Sequence, residues 1–407
     1  MANNIPEVRF EGFSGEWEER KLGEVFNQTV EYVNPSKSNL ELWSVTVQNG
    51  LTPKTDRYNR DALVKKNDKF KIVHSGEIVY NPMNITIGAV GFNSLNKSVA
   101  VSGYYVTMNM NEGFSNSYFG TWLISANAIK KYKLYATGSL IEKQRVQFST
   151  LSSIKVHIPS LEEQTQIGSF FKQLDDTIAL QQQELDILKQ TKQGFLQKMF
   201  PKEGETVPEL RFPGFSGAWE ERKLGEHSEI LTGGTPKTSI TSYWEPKEVP
   251  WMSSGEVNKH RLDSTDNMIS LEGLKNSSAR WVKPYSILIA LAGQGKTRGT
   301  VAINNVAITT NQSIAAIEPN KSLHYEFVYQ NLVKRYEELR MISSGDGTRG
   351  GLNKQIIADV IITSPNIEEQ TKIGSFFKQL DDTIALHEQE LDALKETKKA
   401  FLQKMFV

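Results

Sequence analysis

A 42-residue segment that occurs twice constrains the fold of this 407-residue chain more than any other feature. Residues 159–200 and 365–406 are identical at 33 of 42 positions, at a constant offset of 206 residues. A repeat this close indicates that one structural element is present in two copies. No proline interrupts either copy after its first residue, and Pro201 follows the first copy directly.

Each copy is predicted to form one long α-helix. Its apolar residues recur at steps of three, four or seven, which gives a narrow stripe suited to packing along a second helix. In the first copy the stripe consists of Ile167, Phe171, Leu174, Ile178, Leu185, Leu188, Phe195 and Met199. About 38 helical residues would span roughly 57 Å. The alternative is an ordinary core helix, but the length and the duplication favour a spacer.

The start of each helix is also predicted from sequence. Ser160 is followed three residues later by Glu163, and Asn366 by Glu369. This spacing predicts a capping box, in which the two side chains bind the first free backbone N–H groups.

A second, shorter repeat precedes each variable segment. Residues 5–24 recur at 207–226 with 16 of 20 positions identical, so the chain reads leader, unique segment and helix, and then the same order again. Aromatic residues of the leaders are predicted to close each domain against the helices, although an ordinary core role is the simpler reading; they are Phe10, Phe13, Trp17, Phe212, Phe215 and Trp219.

The unique segments are predicted to be divergent copies of one mixed α/β domain built mainly on antiparallel strands. In residues 76–108 and 285–317, a β-rich run leads to a polar loop, a Gly-x-Val sequence and two more alternating strands. In residues 135–160 and 341–366, a Gly-rich loop precedes a short helical stretch and a strand. Constant helices with diverged heads suit a protein that keeps its geometry while changing what each head binds.

Charge separates the heads from the repeats although the chain as a whole is neutral. Residues 25–158, the first head, carry 15 basic and 8 acidic groups (net +7), and residues 227–364, the second head, carry 15 and 13 (net +2). Each repeated helix has a net charge of −2, and the leader segments 1–24 and 201–226 have −3 and −2. Basic heads on acidic supports suit a polyanionic partner.

The bulk properties indicate a soluble protein of at least two domains. Hydrophobic residues make up 38% of the chain and charged residues 23%. There is no cysteine, no apolar run of membrane-spanning length and no signal-peptide pattern, so a cytoplasmic location without membrane contact is expected.

Three motifs suggest chemistry but are incomplete. Residues 290–297 approach a phosphate-binding loop, yet the residues that follow alternate like a strand where such a loop needs a helix. Residues 80–83 partly match the catalytic tetrapeptide of amino-methylating enzymes but lack the second proline and the aromatic residue. The six histidines show no metal-binding spacing. We therefore expect no catalytic residues, no cofactor and no bound metal.

The arrangement resembles the specificity subunit of type I restriction-modification enzymes. The helix opening Glu-Glu-Gln-x-x-Ile-Gly-x-x-Phe-x-x-Leu-Asp at 162–175 and 368–381 is similar to that family's conserved regions, and so is Gly-x-Trp-x-x-x-Lys-Leu-Gly at 15–23 and 217–225. The resemblance covers essentially the whole chain. It implies an α+β fold in which two mixed α/β target recognition domains are joined by two long antiparallel helices, a coiled coil with pseudo-two-fold internal repeat.

The resemblance also divides the chain and implies its partners. Residues 1–158 form target recognition domain 1, 159–200 the first conserved helix, 201–364 target recognition domain 2 with its linker, and 365–407 the second conserved helix. Each domain would read half of a bipartite site in double-stranded DNA. Two methyltransferase (modification) subunits and the restriction (endonuclease/translocase) subunits would carry out the reactions, so this subunit itself is not an enzyme.

The physics of DNA reading supports the same arrangement. Two modules that enter successive major grooves lie about 34 Å apart, a distance that a pair of long helices can span. The polar loops between strands are the predicted DNA contacts. In the first head these are Thr52, Lys54, Arg57, Asn81, Asn84, Thr86, Lys143, Gln144 and Arg145. In the second head they are Thr235, Lys237, Ser253, Ser254, Gln294, Lys296, Thr297, Arg298 and Arg349.

Two alternatives remain open from sequence. The first is a non-catalytic protein–protein scaffold with two binding heads on a coiled-coil spacer. The second is an enzyme whose site spans both heads. Salt-dependent binding of duplex DNA would distinguish the first, and turnover by the isolated chain would be needed for the second.

Overall fold

A computed structural model describes residues 4–34, 38, 40–54, 69–138, 144–293, 297–342 and 351–407. The chain divides into two compact units. The first comprises Met1–Gln183 and Gln389–Val407, and the second comprises Glu184–Glu388. Each unit contains one leader, one head and part of each repeated helix.

The strands of the first unit are β1 (Glu18–Lys21), β2 (Phe26–Thr29), β3 (Tyr32–Val33), β4 (Trp43–Thr46), β5 (Gly50–Pro53), β6 (Phe70–Val73), β7 (Ile78–Tyr80), β8 (Val90–Phe92), β9 (Val99–Ser102), β10 (Val106–Met110) and β11 (Lys155–Ile158). Its short helices are α1 (Leu22–Val25), α2 (Asn116–Trp122), α3 (Ala126–Tyr135) and α4 (Phe148–Ser153), and a 3-10 turn covers Ile85–Ile87. The long helix α5 (Leu161–Lys198) follows.

The main sheet of the first head has the strand order β2-β10-β7-β8 and is antiparallel throughout. A second sheet has the order β3-β6-β9, and β4 and β5 form a hairpin. The leader strand β1 pairs with β11, the strand that leads into α5. Buried aromatic residues of α2 and α3, among them Phe119, Trp122 and Tyr132, pack with the main sheet in the largest core cluster.

The strands of the second unit are β12 (Glu220–Lys223), β13 (Ser228–Thr232), β14 (Val249–Met252), β15 (Arg261–Leu262), β16 (Asn267–Ile269), β17 (Trp281–Val282), β18 (Ile287–Ala290), β19 (Val301–Asn304), β20 (Ile308–Thr310), β21 (Ile314–Pro319) and β22 (Ile361–Ser364). Its helices are α6 (Leu224–His227), α7 (Leu271–Lys275), α8 (Tyr325–Lys334), α9 (Tyr336–Met341), α10 (Lys354–Ala358) and α11 (Ile367–Lys404), with 3-10 turns at Thr241–Tyr243 and Ser254–Lys259.

The second head repeats the plan of the first. Its main sheet, β13-β21-β18-β19-β15, begins with the same antiparallel order as β2-β10-β7-β8 and adds β15 in parallel pairing with β19. Its second sheet has the order β16-β14-β20-β17, and β12 pairs with β22 as β1 pairs with β11. The predicted sequence of strand, polar loop, Gly-x-Val and two further strands is confirmed in both heads, as is the short helix and strand before each long helix.

The two long helices pack against each other in antiparallel fashion within each unit. In the first unit Phe170 contacts Phe401 with ring centroids 5.1 Å apart, and Gln181 Nε2 donates to Glu390 Oε2 at 3.0 Å. The predicted stripe along α5 is confirmed, since all eight of its residues are buried or half-buried. In the second unit Lys189 pairs with Glu388 at 2.6 Å and the rings of Phe195 and Phe376 lie 5.1 Å apart.

The helix starts confirm half of each predicted capping box and correct the other half. Glu163 N–H donates to Ser160 Oγ at 3.3 Å, and Glu369 N–H donates to Asn366 Oδ1 at 2.9 Å. The carboxylate of Glu163, however, binds the guanidinium of Arg9 from the leader. The glutamate carboxylate therefore joins the leader to the long helix. The prediction that it binds the backbone N–H of the capping residue is wrong.

The leader aromatic residues pack against the helices as predicted. Phe10 contacts Phe170 of α5 at 5.7 Å, and in the second unit Phe212 contacts Phe376 of α11 at 5.8 Å. Trp219 lies in a buried cluster with Phe200, at the end of α5, and with the head residue Phe327.

A glycine in each long helix lets a head helix approach closely. A Cβ on Gly168 would lie 2.6 Å from the backbone nitrogen of Tyr118, and one on Gly374 would lie 2.8 Å from the Cβ of Glu326. Both distances are shorter than packing atoms tolerate. The head therefore contacts the helix pair at a position where only glycine fits.

Replacing Gly374 with alanine is expected to destabilise the second unit by about 1–3 kcal/mol, because overpacking outweighs the helix propensity of alanine. Gly194 offers a matched control, since its counterpart is Ala400 and a Cβ there would meet no atom within 4 Å. Gly194→Ala should stabilise by up to about 1 kcal/mol. Urea unfolding of both variants measures the change in the free energy of unfolding. Equal effects of the same sign would contradict the close approach of the head helix to Gly374.

Candidate nucleic-acid interface

In the second head, loops that follow strands of both sheets are joined into a single surface. Gly234 N–H donates to Thr310 O at 2.9 Å, and Asn311 N–H donates to Met252 O at 3.0 Å. Leu291 N–H donates to Ser313 O at 2.8 Å. The segments that follow β13, β14, β18 and β20 therefore meet, and we call this surface the second loop end.

Two glycines bring the first of these loops close to its neighbour. A Cβ on Gly233 would lie 1.9 Å from the carbonyl oxygen of Thr310, and one on Gly234 would lie 2.0 Å from Ser278 Oγ. The close approach holds the next residue, Thr235, at the surface, where its Oγ1 donates to Gln312 Oε1 at 2.6 Å. This pair of exposed polar side chains can present hydrogen-bonding groups to base edges.

The other predicted contacts of the second head have mixed environments. Lys237 is exposed. Ser253 is half-buried and caps the 3-10 turn that follows it, with its N–H and Oγ both bonded to Glu256 Oε1, and Ser254 is half-buried within that turn. Ser253 thus has an evident structural function, and the contact of both serines with DNA stays a prediction.

The loop that resembles a phosphate-binding sequence leads into strand β19, as the alternating pattern predicted. Thr297 and Arg298 are half-buried, and Arg298 Nη2 donates to the carbonyl oxygen of Arg340 at 2.9 Å. Gln294, Lys296 and Arg349 lie outside the described residues.

The first head brings equivalent segments together. Val146 N–H donates to Pro82 O at 3.0 Å, just as Leu352 N–H donates to Leu291 O at 2.9 Å in the second head. The predicted contacts Gln144 and Arg145 therefore lie beside the turn that follows β7. We call this surface the first loop end.

The turn itself carries three predicted contacts. Asn81 is half-buried, and its Oδ1 accepts from the Met83 N–H at 3.0 Å. Asn84 is exposed and Thr86 is half-buried. Thr52, in β5, and Lys54, whose Nζ lies 6.0 Å from the Phe70 ring centroid, are half-buried on the hairpin and just after it. Arg57 and Lys143 lie outside the described residues.

The first head also carries a group of aromatic and basic side chains that was not predicted from the sequence. The guanidinium of Arg145 lies 5.9 Å from the ring centroid of Tyr104, which is 41% exposed. Beside it, Lys69 Nζ lies 5.6 Å from the ring of Tyr32, and a Cβ on Gly103 would contact both residues. Paired aromatic and basic side chains are typical of nucleic-acid surfaces. The only signal in the sequence was the Gly-Tyr-Tyr run at 103–105 between two strands.

Lys71 belongs to the same surface but has an internal role. Its Nζ donates to the carbonyl oxygen of Tyr105 at 2.6 Å and lies 5.9 Å from the ring of Tyr32. Burial lowers the pKa of the Lys71 ammonium. This buried lysine therefore holds the Tyr104–Tyr105 turn through its hydrogen bond to the backbone, while Lys69 is exposed.

The described residues contain no group of three or more His, Cys, Asp or Glu side chains placed to hold a metal ion. Within the same residues, no helix combines the length and the apolar character that crossing a membrane requires.

Comparison with known proteins gives one consistent result. Residues 14–190 and 217–396 each match the family described as "Type I restriction modification DNA specificity domain". A type I restriction enzyme specificity subunit of Escherichia coli is 26% identical over 167 residues, which are 40% of this chain and 41% of that protein. The MjaVIII specificity subunit of Methanocaldococcus jannaschii is 22% identical over 374 residues, covering 85% of this chain and 82% of that protein.

A solved structure supports the fold independently. The type I restriction-modification S subunit from M. genitalium aligns with a TM-score of 0.65 at 15% identity, over 99% of both chains. The fold predicted from the duplicated helices is thus confirmed, as is the family that the sequence resembles. The chain belongs to the type I restriction modification DNA specificity domain family, whose domain it contains twice.

Proposed function

We propose that this chain is the DNA-reading specificity subunit of a type I restriction-modification complex and is itself non-catalytic. The observation that carries the proposal is the likeness of the two loop ends. In both heads the segment after a central strand of the main sheet accepts a hydrogen bond from the segment that precedes the last short helix, at Pro82 from Val146 and at Leu291 from Leu352, yet the side chains presented there differ. Such heads would read two different half-sites of a bipartite sequence in double-stranded DNA, in the cytoplasm.

The first loop end is suited to bind guanine edges and phosphates. Arg145 is held over Tyr104 and remains exposed, and arginine pairs with the O6 and N7 acceptors of guanine. The exposed Lys69 beside it would contact the DNA backbone, in keeping with the net charge of +7 on this head. The second loop end presents the amide of Gln312 and the hydroxyl of Thr235, a pair suited to adenine.

The duplicated helices would dock two methyltransferase subunits and, through the assembled complex, the restriction subunits. Leu180 and Leu386 occupy equivalent positions in the two copies and are 57% and 54% exposed. Apolar side chains that are both repeated and exposed suit a partner present in two copies. The reaction chemistry would then belong to those partners.

Substituting the two reading residues separately tests the proposal. Arg145→Ala is expected to lower the discrimination between bases at one position of the first half-site by about 1–3 kcal/mol and to leave the second half-site unchanged. Gln312→Ala should lower the discrimination at one position of the second half-site and leave the first unchanged. Each variant is the control for the other. The measurement is the methylation motif produced with the methyltransferase subunits. A uniform loss across all sequences would show a phosphate contact, and changes in both half-sites from one variant would contradict separate heads.

The protein–protein scaffold remains the second candidate, favoured by the exposed leucines alone. Binding of duplex DNA by the assembled complex distinguishes the two, because release of counterions makes affinity for DNA fall steeply as salt rises. DNA binding that is absent, or unaffected by salt, would support the scaffold.

A further inference from the structure

A cluster of charged side chains joins the second head to the helix pair. Arg261, in β15, binds Glu326 of α8 through both terminal nitrogens at 2.6 and 3.0 Å. Its Nη2 also donates to Asp381 of α11 at 2.9 Å. Asp381 accepts in addition from Gln330 at 2.9 Å and pairs with Lys192 of α5 at 2.5 Å. One arginine thus connects a strand of the head with two helices, and through Asp381 with a third.

The cluster is well shielded from water. The side chains of Arg261 and Asp381 are 18% and 15% exposed, and that of Glu326 is 2% exposed. Burial disfavours the charge on Arg261, but hydrogen bonding and attraction by Glu326, and then by Asp381, outweigh it and raise the pKa of the guanidinium above its ordinary value. The arginine therefore stays charged, and the direction of its hydrogen bonds is fixed.

Among its described residues, the first unit has only the helix–helix part of this arrangement. Asp175, the counterpart of Asp381, pairs with Lys398, the counterpart of Lys192, at 2.5 Å. Asp175 is 51% exposed, whereas Asp381 is 15% exposed. Gly168 faces Ser117 as Gly374 faces Glu326, so serine stands where the second head has the glutamate.

The difference between the units lies in β15. Among the described residues, the main sheet of the first head ends at β8 and has no counterpart of this strand. In the part of the chain that the structure describes, the contact from Arg261 to the long helix therefore occurs in the second head alone, although the aspartate that receives it is present in both copies.

We infer that Arg261 is a positioning residue that fixes the angle of the second head on the helix pair and thereby the spacing at which its half-site is read. The inference rests on the proposed function. A buried ion pair adds little net stability compared with apolar packing, and its best-attested use is to specify one arrangement among several. A forked guanidinium bound to carboxylates on two different helices provides that geometric restriction.

The test compares spacers rather than half-sites. Arg261→Met, assembled with the methyltransferase subunits, is expected to recognise both half-sites but to lose about tenfold in its preference for the native spacer over one that is a base pair longer or shorter. Arg261→Lys should restore part of the preference. Because Arg261→Met leaves Glu326 buried without its partner, Arg261→Met with Glu326→Gln is made in parallel and should relax the spacer equally.

Lys283→Met is the matched control. Lys283 pairs with Glu318 at 2.6 Å in the same head, where Glu318 is 8% exposed, and neither residue belongs to the long helices. This variant should retain the native spacer preference. The inference is overturned if the double variant also retains it, or if the half-site bases change while the spacer does not. If the unsubstituted protein shows no bipartite motif, the proposed function fails instead.

Discussion

Replacing Arg211 with methionine is expected to lower the free energy of unfolding of the second unit by about 3–5 kcal/mol. Arg211 Nε and Nη2 each donate to Glu369 at 2.6 Å, and Nη1 donates to the Gly217 carbonyl oxygen at 2.6 Å. Glu369 is fully buried at the start of α11. Removing the arginine leaves a buried carboxylate without its cation, which is far more costly than losing an exposed ion pair.

Hydrogen exchange and urea unfolding together measure this effect. Exchange should increase in the second leader and in the first turns of α11, where the broken contact lies. Lys378→Met is the control, because Lys378 pairs with Asp382 in the same helix but both side chains are about half exposed; it should cost less than about 1 kcal/mol. Arg211→Met with Glu369→Gln should recover part of the loss. A loss below 1 kcal/mol for Arg211→Met alone would show that the leader does not depend on this pair.

Shortening both long helices by four residues is expected to abolish recognition of the native spacer and to create a preference for a shorter one. Deleting residues 181–184 and 387–390 removes about 6 Å from each helix, which corresponds to roughly two base pairs. The apolar stripe survives, because the step from Ile178 to Leu185 falls from seven residues to three and both values belong to the helical pattern. Neither head is altered, so both half-sites should stay the same.

The methylation motif of the shortened protein measures the result. Deleting 181–184 alone is the control, since it puts the two stripes out of register and should reduce methylation at every spacer. A motif with altered half-site bases, or with the native spacer retained after both deletions, would contradict the proposal that the helices set the length of the spacer.

The long helices and the strand-forming runs of the heads could be predicted because they depend on local periodicity. The stripe from Ile167 to Met199 repeats over about nine turns, and no other regular structure produces that pattern. The fold of the heads was harder to predict, yet their alternating runs and Gly-x-Val turns indicated antiparallel strands. The family resemblance rested on the repeated segments, namely the openings of the long helices and the leader motif.

The contacts that position the heads could not be predicted, because they join residues distant in sequence. Glu163 seemed to belong to a local capping box, but its partner Arg9 is 154 residues earlier. Gln312 was overlooked because only the folded loops bring it to Thr235. Tyr104 and Arg145 are likewise 41 residues apart, and the ring contact that orients the arginine exists only once the turn after β9 is formed.

In the proposed function, two unlike heads on duplicated helices direct the methylation of a split DNA sequence. Sequencing DNA methylated by this chain together with its methyltransferase subunits tests it most directly. The predicted result is one bipartite motif, with two different half-sites separated by a fixed number of unspecified base pairs. A continuous motif, or methylation without sequence preference, would contradict the account.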